Sequence, residues 1–137
     1  MTKKRKYLIV SHGGLARGIK SSLELIAGDM ERVYVLEAYV EGNNPIEEEL
    51  VQLFAEEGVE WVVFSDLLGG SVTNLVLRAG KGKPVFVVAG FNLPLVLEVM
   101  LAHVELPLEE VLTEAVSRAR EQLVYVNPLL TQSDNDA

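Results

Sequence analysis

Four short and nearly continuous apolar runs alternate along the chain with stretches whose apolar residues recur at helical spacing. The runs cover residues 6–10, 33–38, 61–64 and 84–89. Strands that are apolar throughout are buried on both faces, and strand–helix alternation is typical of a parallel sheet covered by helices. The sequence therefore predicts an α/β fold: an open, mostly parallel, doubly wound sheet with helices on both faces.

The remaining segments predict helices, turns and one further strand. Helices are expected over residues 15–27, from Pro45 to about Gly58, and over 72–79, 93–102 and 107–122. Strong turn chemistry marks residues 42–45, and a last apolar run over residues 123–126 predicts a fifth strand. We expect one domain over residues 1–130 and a disordered polar tail over 131–137.

Composition narrows the class of protein. The chain of 137 residues contains no cysteine, which excludes disulfides, thiolate metal sites and cysteine nucleophiles. Its net charge of −8 argues against a nucleic-acid partner, because phosphate backbones attract basic surfaces. The basic residues 3–6 are interpreted as a solvated leader, and no apolar run approaches the ~20 residues of a membrane span. We expect a cytoplasmic protein.

Unusual residues follow three of the predicted strands. Ser11, His12, Gly13 and Gly14 follow the first strand. Ser65, Asp66, Gly69, Gly70, Ser71 and Asn74 follow the third, and Gly90, Phe91 and Asn92 follow the fourth. In open α/β sheets, ligands bind at the carboxyl ends of the strands, and the first and third strands commonly lie side by side. His12 and Asp66 are therefore expected within reach of each other.

This combination suits phosphoryl transfer. A neutral imidazole is a nucleophile near pH 7, and a carboxylate on its other nitrogen fixes the tautomer and stabilises the cation that forms. Gly69 and Gly70 allow close backbone approach, and the helix that Ser71 opens offers amides to an anion. We predict that His12 accepts a phosphoryl group, with no metal and no other cofactor.

Each motif alone also has an ordinary structural explanation. A histidine in a strand-to-helix turn is often structural, Asp66 could only cap a loop, and a Gly-Gly-Ser segment is often a turn and helix cap. Only the convergence of the three loops on one edge of the sheet gives phosphate chemistry the same weight as these structural explanations.

Three segments together resemble one known family. They are IVSHGGLARG at residues 9–18, DLLGGSVTN at 66–74 and AGFNLPLVLE at 89–98. They resemble the enzyme IIA domains of the mannose, fructose and sorbose class of the bacterial sugar phosphotransferase system. The resemblance covers nearly the whole chain, with Val72 standing where the family usually has proline.

The resemblance implies a function and a site. His12 would be phosphorylated by the phosphocarrier protein HPr and would pass the group to enzyme IIB, and thence to a sugar crossing through membrane subunits. Asp66 would orient His12, and Ser71 would contact the phosphoryl group or cap the helix; Gly13, Gly69, Gly70 and Asn74 would line the phosphoryl loop. The family is typically a homodimer that exchanges an antiparallel edge strand, for which residues 123–126 are the candidate.

Both partners must reach His12, so an apolar surface is expected around it. The candidates are Leu15, Leu67, Leu68 and Phe91, although these could equally be ordinary core residues. Three other functions stay open: a phosphotransferase subunit of a dihydroxyacetone kinase system, a non-catalytic regulatory phospho-acceptor domain, and a flavodoxin-like binding domain. The last lacks a Gly-x-Gly-x-x-Gly or Walker pattern.

Overall fold

The computed structural model describes residues 4–40 and 46–130 of the chain. Strands and helices follow each other in the order β1 (Lys4–His12), α1 (Leu15–Ala27), β2 (Val33–Ala38), α2 (Ile46–Phe54), β3 (Val59–Ser65), α3 (Ser71–Ala79), β4 (Val85–Ala89), α4 (Leu93–Leu101) and α5 (Leu108–Arg120). The predicted turn at 42–45 and the predicted tail at 131–137 lie outside the described residues.

The four strands form one open sheet with the order β2-β1-β3-β4, and every pairing is parallel. Two apolar clusters cover its two faces. One packs α1, α4 and α5 against side chains such as Ile9 and Phe64, and the other packs α2 and α3 against side chains such as Leu8 and Val63. The predicted doubly wound α/β architecture is confirmed.

The switch point of the sheet lies between β1 and β3. The chain moves outward from β1 to β2 on one side and from β3 to β4 on the other, so the loops after β1 and β3 diverge from adjacent strand ends. Crevices at such points are where open α/β sheets bind ligands. The register places Val10 beside Ser65, so His12 and Asp66 both lie just beyond this pair.

The strand β1 is longer than its apolar run predicted. It begins at Lys4 and continues to His12, because β3 supplies pairing at one end and β2 at the other, where His12 lies beside Ala38. Hydrophobicity alone could not indicate these ends, since pairing continues wherever a neighbouring strand provides partners.

The interpretation of the basic start as a solvated leader is wrong for Arg5. This side chain is 2% exposed and donates hydrogen bonds to the carbonyls of Val104 at 3.1 Å and Leu106 at 3.0 Å. It therefore ties β1 to the connection between α4 and α5. The guanidinium can be buried here because backbone carbonyls accept from its two terminal nitrogens and the carboxylate of Glu60 lies 3.5 Å from one of them, although Nε has no hydrogen-bond partner among the described residues.

The predicted fifth strand is also wrong. In the described part of the chain, residues 123–126 pair with no strand, and the predicted antiparallel edge is absent. A strand forms only where a neighbour supplies hydrogen-bond partners, and after α5 the backbone does not reach the free edge of β4. The segment instead exposes its apolar side chains, with Leu123 88% and Tyr125 76% accessible. A short helical turn follows at residues 127–130.

Candidate functional site

His12 and Asp66 meet at the switch point. His12 is the last residue of β1, and Asp66 directly follows β3, which ends at Ser65. Oδ2 of Asp66 accepts a hydrogen bond from the backbone N–H of His12 at 2.8 Å and contacts the ring Nδ1 at 2.9 Å. The same oxygen thus fixes both the strand end and the orientation of the ring.

This contact determines the proton arrangement of the imidazole. An ionised carboxylate can only accept hydrogen bonds, so a neutral His12 ring carries its proton on Nδ1. The lone pair is then on Nε2, at the far side of the ring from Asp66. The side chain of His12 is 37% exposed, whereas that of Asp66 is only 9% exposed. The site therefore combines a partly exposed imidazole with a buried carboxylate that anchors it.

The carboxyl of Asp66 stays ionised. Burial by itself would raise its pKa, but the hydrogen bonds from the backbone and ring of His12 outweigh burial, so the pKa of Asp66 is lowered from its ordinary value. Its other oxygen, Oδ1, is buried without a hydrogen-bond partner among the described residues. Negative charge thus remains beside the ring, where it would stabilise an imidazolium.

A chain of buried hydroxyls shapes the loop after β3. Ser65 and Thr73 are buried and their hydroxyls lie 2.7 Å apart, while Thr73 donates to the carbonyl of Leu67 at 2.5 Å. These bonds connect the strand end, the loop and the first turn of α3. Gly69 then turns the backbone with φ +77°, a region that favours glycine. The conformation of the loop is therefore fixed by specific hydrogen bonds.

The start of α3 lies against the imidazole. Gly70 is the N-cap residue, and a Cβ atom built there would lie 3.6 Å from Cε1 of His12, the carbon next to Nε2. Among the described residues no side chain caps this helix, and Ser71 is its first helical residue. The unpaired amides of a helix start attract anions. A group attached to Nε2 would therefore lie near these amides.

The turn after β1 is held from inside. The buried hydroxyl of Ser11 accepts a hydrogen bond from the N–H of Ala16 at 2.8 Å, and it donates to the carbonyl of Gly13 at 3.2 Å. Gly13 has φ +59°, and its N–H donates to the carbonyl of Ala38 at 2.8 Å. The turn therefore joins both neighbouring elements, and His12 is fixed on its carboxyl side.

Comparisons with known proteins agree with this geometry. Residues 6–116 match the family profile of the fructose IIA component of the phosphotransferase system, or PTS. The chain belongs to the PTS fructose IIA component family. A search of curated protein sequences gives no match.

Several solved structures resemble this IIA domain. A candidate PTS permease from Klebsiella pneumoniae is 32% identical, with a TM-score of 0.86, and the match covers 95% of this chain and 96% of that one. The PTS IIA protein associated with the fucose utilization operon of Streptococcus pneumoniae is 29% identical, with a TM-score of 0.78 and coverage of 94% and 98%. The mannose/sorbose-specific IIA subunit of Enterococcus faecalis is 25% identical, with a TM-score of 0.76 and coverage of 90% and 96%.

The other residues singled out in the sequence are distributed unevenly around His12 in this IIA domain. Leu15, Leu67 and Leu68 are exposed, at 49%, 56% and 87%. Phe91 is only partly exposed and packs against the core that contains α4 and α5. Asn74 is exposed on the first turn of α3, one turn beyond Ser71.

Sequence reasoning missed Tyr39. Its ring stacks on that of His12 with centroids 5.5 Å apart and an interplanar angle of 27°, and its hydroxyl lies 2.9 Å from that of Ser71. One signal was available, because Tyr39 directly follows the second strand and so reaches the same edge of the sheet. Val72, where proline was expected from the family, is fully buried and anchors the start of α3 in the core.

Within residues 4–40 and 46–130, no helix is long and apolar enough to cross a membrane. The same residues contain no group of three or more histidine and acidic side chains that could hold a metal ion.

The lowered pKa of Asp66 predicts how stability depends on pH. A carboxyl with a depressed folded-state pKa adds stability above the unfolded pKa of about 3.9, and this contribution is lost as the pH falls through the folded-state pKa. Asp66→Asn should lower the free energy of unfolding by about 1–3 kcal/mol at pH 7, and by less at pH 2 to 3. Urea unfolding at both pH values measures the difference, with the exposed Asp29→Asn as control. An equal deficit at both values would contradict the assignment.

Proposed function

We propose that this IIA domain carries phosphoryl groups during sugar uptake. His12 accepts the phosphoryl group from HPr and passes it to enzyme IIB. From enzyme IIB the group reaches the sugar that crosses through the membrane subunits. The observation that carries this proposal is the bond between Nδ1 of His12 and Asp66, because it leaves Nε2 free beside the start of α3. No metal or other cofactor takes part in the proposed step.

The chemistry of the step follows from the ring's protonation. The lone pair on Nε2 forms a bond to phosphorus while the bond between phosphorus and the donor's nitrogen breaks, and that electron pair returns to the donor. The Nδ1 proton stays on His12, so the ring becomes a cation. The ionised Asp66, with one oxygen on Nδ1 and the other unpaired, stabilises this cation electrostatically. Transfer to enzyme IIB reverses the same bond changes.

The phosphoryl oxygens would meet several donors. The amides at the start of α3 offer hydrogen bonds and the positive end of a helix dipole, which together favour an anion. The exposed hydroxyl of Ser71 can donate as well, because Gly70 rather than Ser71 is the cap residue of the helix. Gly13, Gly69 and Asn74 complete the proposed loop. Phosphoryl transfer needs mainly such positioning and charge stabilisation.

The family match favours this function over its alternatives. The matched profile is that of a fructose IIA component, and one similar structure is a mannose/sorbose-specific IIA subunit. Both are sugar-specific IIA components of the phosphotransferase system, which supports a role in sugar transport over a dihydroxyacetone kinase subunit or a regulatory phospho-acceptor.

Intact mass spectrometry tests the proposed acceptor. Incubation with phosphoenolpyruvate, enzyme I and HPr should add one acid-labile phosphoryl group to the wild type and none to His12→Ala. Asp66→Asn should be labelled about 10²-fold more slowly, because the ring loses its tautomer control. Ser71→Ala serves as a milder comparison, since the helix amides remain. A label that survives His12→Ala would contradict the proposal.

The surface around His12 would receive both protein partners. Leu68 is 87% exposed in the loop before α3, and the exposed Leu15 and Leu67 lie beside the same two turns. Exposed apolar groups of this kind are typical of protein interfaces. Phe91 is the weaker candidate, because it already packs against the core.

Leu68→Asp should slow phosphoryl transfer from HPr without changing the fold, because a charge would enter the proposed contact. Leu25→Asp is a matched control, since Leu25 is also 87% exposed but lies about 15 Å further along α1 from Leu15. Transfer rates at several HPr concentrations measure the effect. Equal transfer rates for the two variants would show that Leu68 does not contact HPr.

A second copy of the chain would cover the segment at residues 123–130. Its apolar side chains are between 46% and 88% exposed, namely Leu123, Val124, Tyr125, Val126, Leu129 and Leu130. Contiguous apolar surface of this kind is rare on monomers. One edge of β4 is also unpaired within the described chain, and free strand edges favour association. Both features support a homodimer.

Sedimentation velocity should therefore give twice the mass of one chain. Leu123→Asp should shift the protein toward monomer, whereas Leu25→Asp, at nearly the same exposure, should leave the dimer intact. A wild-type protein that sediments as a monomer at micromolar concentration would contradict the dimer.

A further inference from the structure

Tyr39 has an unusual backbone conformation. Its φ is +63°, and it is the one non-glycine residue with positive φ in the part of the chain that the structure describes. A bulky side chain in this region costs free energy and persists only where the surroundings impose it. Such residues are concentrated at functional sites, so the contacts that hold Tyr39 need an explanation.

The end of β2 holds Tyr39 beside the imidazole. The register of the sheet pairs His12 with Ala38, and the carbonyl of Ala38 accepts a hydrogen bond from Gly13 at 2.8 Å. The next residue, Tyr39, then turns back toward β1 with its positive φ. An extended backbone at this point would carry the side chain away along the strand direction.

Two contacts link the side chain to the proposed phosphoryl site. The ring lies 5.5 Å from that of His12, centroid to centroid, and the planes are inclined by 27°. The hydroxyl lies 2.9 Å from the hydroxyl of Ser71, the first residue of α3. Tyr39 is 44% exposed, so burial of its apolar surface is not what holds it here. The residue spans the space between the nucleophile and the helix start.

We infer that Tyr39 is part of the phosphoryl site: its ring covers one face of the phosphorylated imidazole, and its hydroxyl, with that of Ser71, binds the phosphoryl oxygens. This inference rests on the proposed function, because it requires a phosphoryl group on Nε2 of His12. The ring becomes cationic when Nε2 is phosphorylated, and an aromatic face attracts a cation. The stacked ring also excludes water from one side of the phosphorus–nitrogen bond.

The hydroxyl pair can change partners without moving the backbone. In the unphosphorylated site one of the two hydroxyls donates a hydrogen bond to the other at 2.9 Å, and the O–H of the accepting hydroxyl is not used in this bond. The hydroxyl hydrogen of Ser71 rotates about its C–O bond, and that of the Tyr39 phenol can switch between its two positions in the ring plane, so each can turn toward a phosphoryl oxygen. Hydrogen bonds to charged oxygens are stronger than those between neutral groups, so the exchange is favourable.

Chemical labelling with phosphoramidate tests this role without a protein donor. Nε2 of His12 forms the bond to phosphorus, the phosphorus–nitrogen bond of phosphoramidate breaks, and the nitrogen leaves as ammonia after taking up a proton. Tyr39→Phe keeps the ring and removes the hydroxyl. Tyr39→Asn removes the ring but tolerates positive φ. Tyr34→Phe is the matched control, because Tyr34 is a tyrosine of β2 that packs against Trp61.

We expect Tyr39→Phe to be labelled about three- to tenfold more slowly and to move the ³¹P resonance of the phosphohistidine. Tyr39→Asn should lose its label by hydrolysis about two- to fivefold faster than the wild type. In the unphosphorylated protein, the ring-proton resonances of His12 should move in Tyr39→Asn and stay in place in Tyr39→Phe, since only the first removes the stacked ring. Tyr34→Phe should match the wild type in every measurement.

The outcomes separate this inference from the proposed function. If the wild type takes no label on His12, the carrier function fails and this inference fails with it. If the wild type is labelled on His12 but both Tyr39 variants match it in labelling rate, ³¹P resonance and hydrolysis, only the role of Tyr39 is overturned.

Discussion

The shared oxygen of Asp66 is the interaction on which the site depends. It accepts hydrogen bonds from the backbone and the ring of one residue, His12, so it fixes the end of β1 and the imidazole together. Such a contact requires two adjacent parallel strands that end at nearly the same level. The order β2-β1-β3-β4 provides this, because the chain diverges from β1 and β3 in opposite directions and leaves a crevice between their ends. The contacts of the Asp66 carboxylate with His12 therefore depend directly on the geometry of the sheet.

Hydrogen bonds of buried hydroxyls hold the loops in place, as backbone hydrogen bonds hold the strands of the sheet. Ser11 bridges the first turn of α1, while Ser65 and Thr73 join the end of β3 to the first turn of α3. All three side chains are at most 3% exposed, so these hydrogen bonds are shielded from water and hold the loops firmly. A site built in this way is organised before any ligand arrives. Electrostatic stabilisation of a reacting group relies on such preorganisation.

The sequence predicts those parts of the molecule that depend on local pattern. Alternating strand and helix signals were sufficient for the sheet, and the loops that it gathers on one edge indicated His12 and Asp66. Tyr39 escaped prediction because positive φ is expected of glycine, so nothing local signals it at a tyrosine. Arg5 escaped because its acceptors are carbonyls about one hundred residues away. Residues 123–126 have the composition of a strand, but composition cannot supply the neighbour that a strand needs.

The contrast in burial between the side chains of His12 and Asp66 suits the proposed role as a phosphoryl carrier. A group that must be accepted and then given away cannot be enclosed, because each partner has to reach the same nitrogen. The His12 side chain is 37% exposed, whereas the side chain of its anchor Asp66 is 9% exposed. Asp66 therefore holds the imidazole rigidly from its buried side, and the opposite side of the ring stays accessible to partners. Deeper burial of His12 would strengthen every electrostatic interaction with the proposed phosphoryl group, but it would also slow the release of that group, since tight binding of an intermediate does not accelerate the step that consumes it.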